Sequence, residues 1–378
     1  MKRAKILEIV PALTFGGVEQ FLYNYLSHIN LNQFEVHILT QEPRDKEAEK
    51  RFLTLGVKIY SIPTKKKNIV KHFKKTKELF RREQYDIVHC HLSAKSFWML
   101  ALAKYSGIKA RIYHAHEARM DKGLKRLKWK IYASLSKYYA TDLFACGREA
   151  AEFCFGNADY LYVPNIIDFK KFEFNNKDRL EIRRKYGISD ENIVIGNMAR
   201  LAPEKNHKFL IDIFSKIEDK RYKLLLVGSG PLECEIKEQV AKLGIKESVI
   251  FLEATNTPEK YYSAMDVFLL TSFSEGFGMA ILEAQANGLP CIVSDSVSDD
   301  VIYSKSFIKL SLSEEDRVWV NEIRKNSDKR TTQVFRKMQD FNVAKNEDKL
   351  GKIYLQILRG SENSVKTDRK RNIVYGEK

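Results

Sequence analysis

The chain has no closely spaced cysteine pair. Its five cysteines, Cys90, Cys146, Cys154, Cys234 and Cys291, stand far apart with no C-x-x-C among them, which reads as reduced thiols in a cytoplasmic protein. No stretch approaches the roughly 18 apolar residues that a bilayer-spanning helix needs, so no membrane crossing is expected. The start, "MKRAKILEIVPAL", only faintly imitates a signal peptide: its apolar run is short and Glu8 interrupts it. A first buried strand is the better reading. No short repeat period appears, which argues against a stacked-repeat architecture.

What is present is enough for two domains. The chain has 378 residues, of which 44% are hydrophobic. The net charge of +16 is unevenly spread: residues 1–170 carry 30 Lys+Arg against 17 Asp+Glu. The remainder is nearly balanced, so an anionic surface or polymer is expected beside the first half only.

In that first half, "KILEIV", "FEVHILT", "VKIYSI", "YDIVHC", "ARIYHA" and "DLFAC" read as strands. Between the first two, Val18, Phe21, Leu22, Tyr25, Leu26 and Ile29 fall at helical spacing. "YLYVPNIIDFKKF" closes the unit, with Pro164 and Asn165 as a turn. A second alternating series follows: "NIVIGNMA", "YKLLLVGSG", "SVIFLEA", "DVFLLTS" and "PCIVSD", with helices such as Leu232–Leu243 and Met279–Asn287 between them. Residues 313–358 look helical. The prediction is α/β: two Rossmann-like, doubly wound parallel-sheet domains facing across a cleft, with ligands beyond the carboxyl ends of the strands. Domain limits of 1–168 and 169–340 are expected, then a helix over 341–358 that crosses back to the first domain, and a disordered charged tail over 359–378.

The densest chemistry lies in "SFSEGFGMAILEAQANGLP", Ser272–Pro290. A strand ends at a glycine-bearing turn, Gly276 and Gly278, and a helix begins near Met279. Free amides and a positive dipole end there suit an anion. Glu283, about one turn into the helix, suits a cis-diol such as a ribose, and Glu275 at the turn would face the group beyond the phosphates. The alternative is that Glu275 caps the helix and Glu283 pairs with a nearby lysine. On the loop after "NIVIGNMA", Arg200 and Lys205 in "RLAPEKN" can clamp a diphosphate, or be surface charges flanking Pro203. "LLLVGSGP" supplies a third phosphate-compatible strand end at Gly228 and Gly230; alone, such a glycine pair is weak.

Over about residues 1–300 the sequence resembles the retaining, nucleotide-sugar-dependent glycosyltransferases of family 4, which have the GT-B fold. The E-x7-E stretch "EGFGMAILE" (Glu275–Glu283) carries the resemblance, supported by "RLAPEK", "VGSGP", "VPNIID" and "FGGVE" (Phe15–Glu19). The wording is most similar to bacterial exopolysaccharide and capsule members. The resemblance implies that Glu283 binds the ribose, Glu275 contacts the transferred sugar, and Arg200 and Lys205 hold the phosphates. It further implies help from the amides of Phe277, Gly278 and Met279, and an approach of the Gly16–Gly17 loop to the leaving diphosphate.

"YHAHEAR" and "HCHLS" offer histidines. His114 is expected to pack within its strand. His116, on the loop, is by resemblance the one that contacts the donor sugar or assists the acceptor. His91 lines the acceptor side or is structural. A His-x-His metal site needs further ligands, and none is evident in the sequence. No Asp-x-Asp motif ends a strand outside "SDSVSDD" (Ser294–Asp300), where many relatives carry glycines and a glutamate, so no metal and no cofactor are expected. Both glutamates look committed to binding, unlike the covalent nucleophile usual in two-carboxylate retaining enzymes. The resemblance implies same-face displacement, with the protein positioning and stabilising the leaving diphosphate.

Two basic segments remain. "KKKNIVKHFKKTKELFRR" keeps Ile69, Phe73 and Phe80 near one face. "DKGLKRLKWKIYASLSKYY" places Leu124, Leu127, Ile131, Leu135 and Tyr138 at helical spacing, with Lys122, Lys125, Arg126, Lys128 and Lys130 on other faces beside Trp129. Such a helix suits an anionic membrane surface, or else buries its stripe in the core. The leading expectation is transfer of a sugar, from a donor that is more often a UDP-sugar among relatives, to a polyprenyl-diphosphate-linked glycan at the inner face of the plasma membrane. Rivals are a sugar-nucleotide epimerase of the same fold, a catalytically silent sugar-nucleotide binder, and a polyanion- or nucleic-acid-binding protein using the basic half.

Overall fold

A computed structural model describes residues 3–41, 45–116, 123–275, 277–331 and 336–362. The chain divides into two units, Met1–Ile166 with the stretch from Asn346 onward, and Ile167–Lys345. The limits thus fall at 166/167 and 345/346, set against the expected 168 and 340. A local cause is visible: Ile167 bridges to Asn342, its amide donating to the Phe341 carbonyl at 2.8 Å, and Val343 donates back to Ile167 at 3.0 Å.

The first unit holds β1 (Ala4–Ile9), β2 (Phe34–Gln41), β3 (Lys58–Ile62), β4 (Ile87–Cys90), β5 (Ala110–Ala115), β6 (Asp142–Ala145) and β7 (Leu161–Tyr162). They form one sheet in the order β3-β2-β1-β4-β5-β6-β7. The second unit holds β8 (Ile193–Met198), β9 (Tyr222–Val227), β10 (Val249–Leu252), β11 (Val267–Leu270), β12 (Cys291–Ser294) and β13 (Phe307–Leu310), ordered β10-β9-β8-β11-β12-β13. All pairings are parallel. Parallel neighbours require crossovers, and helices such as Gly17–Leu26, Phe97–Tyr105 and His207–Ser215 supply them. In each sheet the winding reverses beside its first strand, between β1 and β4 and between β8 and β11. Crevices at such reversals are where doubly wound sheets bind ligands.

Burial follows the parallel-sheet rule of near-continuous apolar strands. Leu7, Ile9, Leu39, Val88, Tyr113 and Ala145 pack with Leu79, Met99, Leu100 and Phe155 in one core of the first unit. Ile195, Leu224, Leu226, Leu269 and Ile292 do so with Leu210, Phe214 and Trp319 in the second. Polar anchoring adds to this at the start of β11. Asp266 accepts from Arg179 and Arg183, each at 2.6 Å, and from the Val194 amide at 2.7 Å. The helix Asn176–Lys185 is thereby tied to β8 and β11.

After short 3-10 turns at Arg336–Phe341 and Val343–Lys345, the last helix runs Lys349–Glu362. It therefore starts later than residue 341, and it includes residues 359–362, which the sequence suggested as tail; residues 363–378 lie outside the described residues. Its Leu350 and Tyr354 are buried, and it belongs to the first unit. Among the described residues no helix is long and apolar enough to cross a membrane. All five cysteines are free thiols.

Candidate functional site

In the second unit three strand ends meet at the winding reversal and its neighbour β9. The loop after β8 is laid against the loop after β9: Ala199 donates to the Val227 carbonyl and Leu201 to that of Ser229, both at 3.1 Å. Any Cβ on Gly228 would collide with the Ala199 carbonyl, and one on Gly230 with the Leu201 backbone. These glycines thus let two loops touch, and so fix the segment that carries Arg200 and Lys205. Arg200 is exposed and paired with Glu204 at 2.6 Å.

Lys205 ends a 3-10 turn, Pro203–Lys205, which continues into Asn206 in a left-handed conformation at φ 53°. Its Nζ lies 2.8 Å from both oxygens of Glu275, just beyond β11. Glu275 is buried and also accepts from Ser272 Oγ at 2.5 Å. The Phe273 amide donates to the Glu204 carbonyl at 2.8 Å, closing the two loops on each other. The acidic stretch that departs from the family pattern has a part here. Ser294 Oγ and Ser296 Oγ both donate to the Ser272 carbonyl at 2.6 Å, holding the residue that holds Glu275.

The helix Met279–Ala286 begins where the sequence placed it, after Gly278 at φ 70°, ψ 55°, and no side chain caps it. Glu275 is therefore not a helix cap. A side chain at Gly278 would be strained by that φ and would press Ile281 Cδ1 at 2.8 Å. Phe277 is buried against Phe341, centroids 5.5 Å apart, which anchors the turn. Met279 is half-buried at the helix start, and Gly276 lies outside the described residues. Glu283 is buried and accepts from Tyr262 Oη at 2.9 Å. Burial, then Glu283, raises the Tyr262 phenol well above its ordinary range, so it stays a donor. The sequence did not single out this tyrosine as a partner of Glu283.

The first unit presents a buried polar layer at its own winding reversal. Glu8 stands opposite His89, and His89 opposite Ile112, so Glu8, His89, His91, His114 and His116 share one face of β1, β4 and β5 and their ends. Glu8 accepts from Tyr354 Oη at 2.6 Å and contacts His91 Nε2 at 2.8 Å. His91 Nδ1 is 2.8 Å from His116 Nε2. His89 joins Tyr354 Oη at 2.6 Å and His114 Nδ1 at 3.0 Å.

His116 is only 8% exposed, so it is not free on the loop as expected but tied to His91. His114 is packed, as read, while its Nε2 has no partner among the described residues. Burial, reinforced by the neighbouring imidazoles, lowers His91 to about 4 and holds His114 and His116 well below the ordinary histidine range. Burial raises Glu8, but His89 and His91 outweigh it and hold the carboxyl below the usual range. Of the His-x-His pair His114 and His116, only His114 joins a closely spaced histidine group. Nitrogens of His89, His91 and His114 lie within 4.8 Å of one another, a spacing open to a metal ion. Gly16 precedes the helix Gly17–Leu26, with Gly16 against the Glu19 carboxylate and Gly17 open.

The apolar stripe on the helix Gly123–Tyr139 does not face the core. Leu124 is 85% exposed, Leu127 56%, Ile131 51% and Tyr138 71%, while Ala133 and Ser136 are the helix's buried residues. Trp98 and Tyr105 on the adjoining helix Phe97–Tyr105 are exposed too. On the helix Ile69–Glu83, Ile69 is exposed but Phe80 is buried, so the face expected there splits. Lys122 lies outside the described residues.

The family model described as "Glycosyltransferase Family 4" matches residues 15–153, and "Glycosyl transferases group 1" matches residues 178–302. EpsF of Bacillus subtilis (strain 168), designated a glycosyltransferase, is 28% identical over 332 residues, 84% of this chain and 86% of that protein. The Escherichia coli UDP-Gal:alpha-D-GlcNAc-diphosphoundecaprenol alpha-1,3-galactosyltransferase is 25% identical over 383 residues, covering 93% and 96%. Among solved structures, Anabaena Alr3699/HepE in complex with UDP and glucose superposes with a TM-score of 0.79 at 16% identity, covering 93% of this chain and 100% of that one. The two parallel sheets and these matches together make the chain a GT-B-fold glycosyltransferase of family 4.

Proposed function

We propose that the chain is a retaining, metal-independent transferase. It moves a sugar from a UDP-sugar to a polyprenyl-diphosphate-linked glycan, in exopolysaccharide or capsule assembly, at an anionic membrane face. The observation that carries the donor half is the Lys205–Glu275 pair at the winding reversal of the second sheet, beside Arg200 and the uncapped helix at Met279. Lys205 has three N–H groups and Glu275 takes two, leaving one for a phosphate oxygen. Arg200 adds an exposed planar fork for the same diphosphate. Glu283, held by Tyr262, is the ribose acceptor group. The bound UDP and glucose of the HepE structure and the printed donor of the Escherichia coli relative support uridine.

Both carboxylates are already engaged, Glu275 by Lys205 and Ser272 and Glu283 by Tyr262. That favours same-face displacement over a glycosyl-enzyme intermediate. The departing phosphate oxygen takes the proton of the attacking hydroxyl, while cations and amides stabilise the charge that develops on the leaving group. The acceptor half rests on the undecaprenol-diphosphate relative and on the exposed stripe of the helix Gly123–Tyr139. Lysines around exposed leucines fit an anionic lipid surface better than a nucleic acid, which has no use for the apolar residues.

The test is a calorimetric screen of UDP, GDP, ADP and their sugars, followed by transfer to polyprenyl-diphosphate acceptors with and without EDTA. Product anomeric configuration is read by NMR. Tight binding of UDP-sugars and α-linked product from an α-linked donor are expected. Preference for another base removes the donor assignment, and conversion of donor alone without acceptor points instead to epimerase chemistry.

A further inference from the structure

Glu283 and its buried donor Tyr262 stand on two different helices that are tied together at one end. Tyr262 belongs to the helix Pro258–Ala264. The last carbonyls of a helix have no partners within it, and here arginines supply them. Arg179 Nη1 donates to the Ser263 and Met265 carbonyls at 3.3 and 3.1 Å, and Arg183 Nε to that of Ala264 at 3.1 Å. Arg330 donates to the Met265 carbonyl as well. Arg179 and Arg183 are themselves fixed on Asp266, each at 2.6 Å. Asn287, closing the helix Met279–Ala286, donates to Ser263 Oγ at 3.2 Å and to the Phe172 carbonyl at 2.9 Å.

The side chain of Tyr262 is as firmly placed as its backbone. It is wholly buried, and its ring lies between Phe172 and Phe268, each 5.9 Å away between centroids. A phenol carries one hydrogen, and two oxygens are within its reach, Glu283 Oε2 at 2.9 Å and the Ala280 carbonyl at 3.2 Å. The carboxylate is the nearer and, being charged, the stronger acceptor. Packing alone is served as well by phenylalanine, which leaves no buried hydroxyl to satisfy. What the hydroxyl adds is the orientation of Glu283. A carboxylate offers about four lone-pair sites, so accepting from Tyr262 fixes its direction without exhausting it. A glutamate held beforehand also loses less rotamer freedom when a ligand arrives.

We propose that Tyr262 is a positioning residue for donor recognition: its hydroxyl holds Glu283 in the direction from which the carboxylate accepts from the ribose hydroxyls, and so sets a preference for a ribonucleotide over a deoxynucleotide. The proposal rests on the reading of Glu283 as the ribose-binding group. Tyr262 acts only through Glu283, and the arginines on the helix Pro258–Ala264 act only through Tyr262.

The test compares, by calorimetry on the full-length protein, the affinities for UDP and for 2′,3′-dideoxy-UDP in wild type, Tyr262→Phe and Glu283→Ala. Tyr262→Phe removes one oxygen and keeps the ring in its seat between Phe172 and Phe268. It is expected to weaken UDP about 10-fold, the loss for one hydrogen bond to a charged group, while the dideoxy nucleotide binds as before. In kinetics the UDP-sugar KM is expected to rise with kcat nearly unchanged, the sign of lost uniform binding. Equal weakening of both nucleotides, or of neither, overturns the proposal, because a hydroxyl that serves only the fold has no means of telling one sugar from the other. If Glu283→Ala keeps the wild-type preference for UDP, the ribose reading falls and this proposal with it. If Glu283→Ala abolishes the preference and Tyr262→Phe retains it, the ribose reading stands and the proposal alone falls. A crystal structure of the wild-type protein with UDP is a second readout that needs no variant to fold. Tyr262 and the ribose on the same Glu283 carboxylate are expected; a carboxylate that reaches the ribose only by leaving Tyr262 overturns the proposal.

Discussion

At the residue scale, the proposed donor site comes down to a few polar atoms with assigned neighbours. Arg200→Ala removes an exposed guanidinium whose partner, Glu204, is half-buried on the same surface loop, so the fold is expected to tolerate it. Glu283→Ala leaves the buried Tyr262 hydroxyl, among the described residues, with the Ala280 carbonyl at 3.2 Å. Each variant is expected to weaken UDP-sugar binding by about 1–3 kcal/mol, the range for a lost charged hydrogen bond, and calorimetry checks this directly. Loss of binding without loss of the thermal midpoint supports the assignment for Arg200; equal affinity in both variants would remove it. The placement of Glu275, Glu283, Arg200 and Lys205 near strand ends and a helix start was legible from the flanking pattern. The role of Tyr262 was not, because a tyrosine inside the short mixed helix Pro258–Ala264 carries no sign of whose carboxylate it will meet. Gly228 and Gly230 were read as a phosphate-compatible strand end, whereas the group that meets them is the backbone of residues 199–201, a tertiary contact that spacing alone does not reveal.

Among the elements, two helices make opposite predictions. Asn176–Lys185 is held by Arg179 and Arg183 on Asp266, and Arg183 is almost wholly buried. Asp266→Ala strands that guanidinium, and an unfolding cost of about 3–5 kcal/mol is expected in denaturant titration. The helix Gly123–Tyr139 is expected to behave differently. The double variant Leu127→Asn, Ile131→Asn should leave stability nearly unchanged, since both side chains are exposed. It should, however, reduce sedimentation with anionic vesicles severalfold while UDP-sugar affinity is unaltered. Equal vesicle binding by both proteins would dissociate this stripe from any membrane role.

The strands themselves were mostly legible, from β-branched runs punctuated by turns. β13, Phe307–Leu310, was not: it is a four-residue edge strand, half-buried throughout, with neither alternation nor a continuous apolar run. The paired histidines were visible at period two, which puts His89 with His91 and His114 with His116. That both pairs face the same side as Glu8 depends on parallel register, which is settled between strands and not within any one of them.

For the whole molecule, acid sensitivity follows from the neutral histidines in both units. In the first unit His91 is held at about 4, chiefly by burial; in the second, His207 is lowered to about 4 by burial and then by Lys205. An unfolded histidine titrates near ~6.5. The unfolded chain therefore takes up protons that the folded chain refuses as pH falls from about 6.5 to about 4. Stability is fully present above that window and declines through it. A thermal midpoint that falls between pH 7 and pH 5 is expected, and a flat profile would contradict the buried neutral rings.

The first unit is also discontinuous in sequence, and the carboxylate of Glu8 meets its phenol 346 residues downstream. During synthesis the stretch Ile167–Lys345 is wholly made before Tyr354 leaves the ribosome. At translation rates of about 5–20 residues per second, the earlier stretch waits on the order of 10–40 s for its final helix. The unit that begins first is thus the one finished last, and a nascent chain stalled short of Tyr354 carries a Glu8 carboxylate that has its histidine neighbours but lacks its phenol donor.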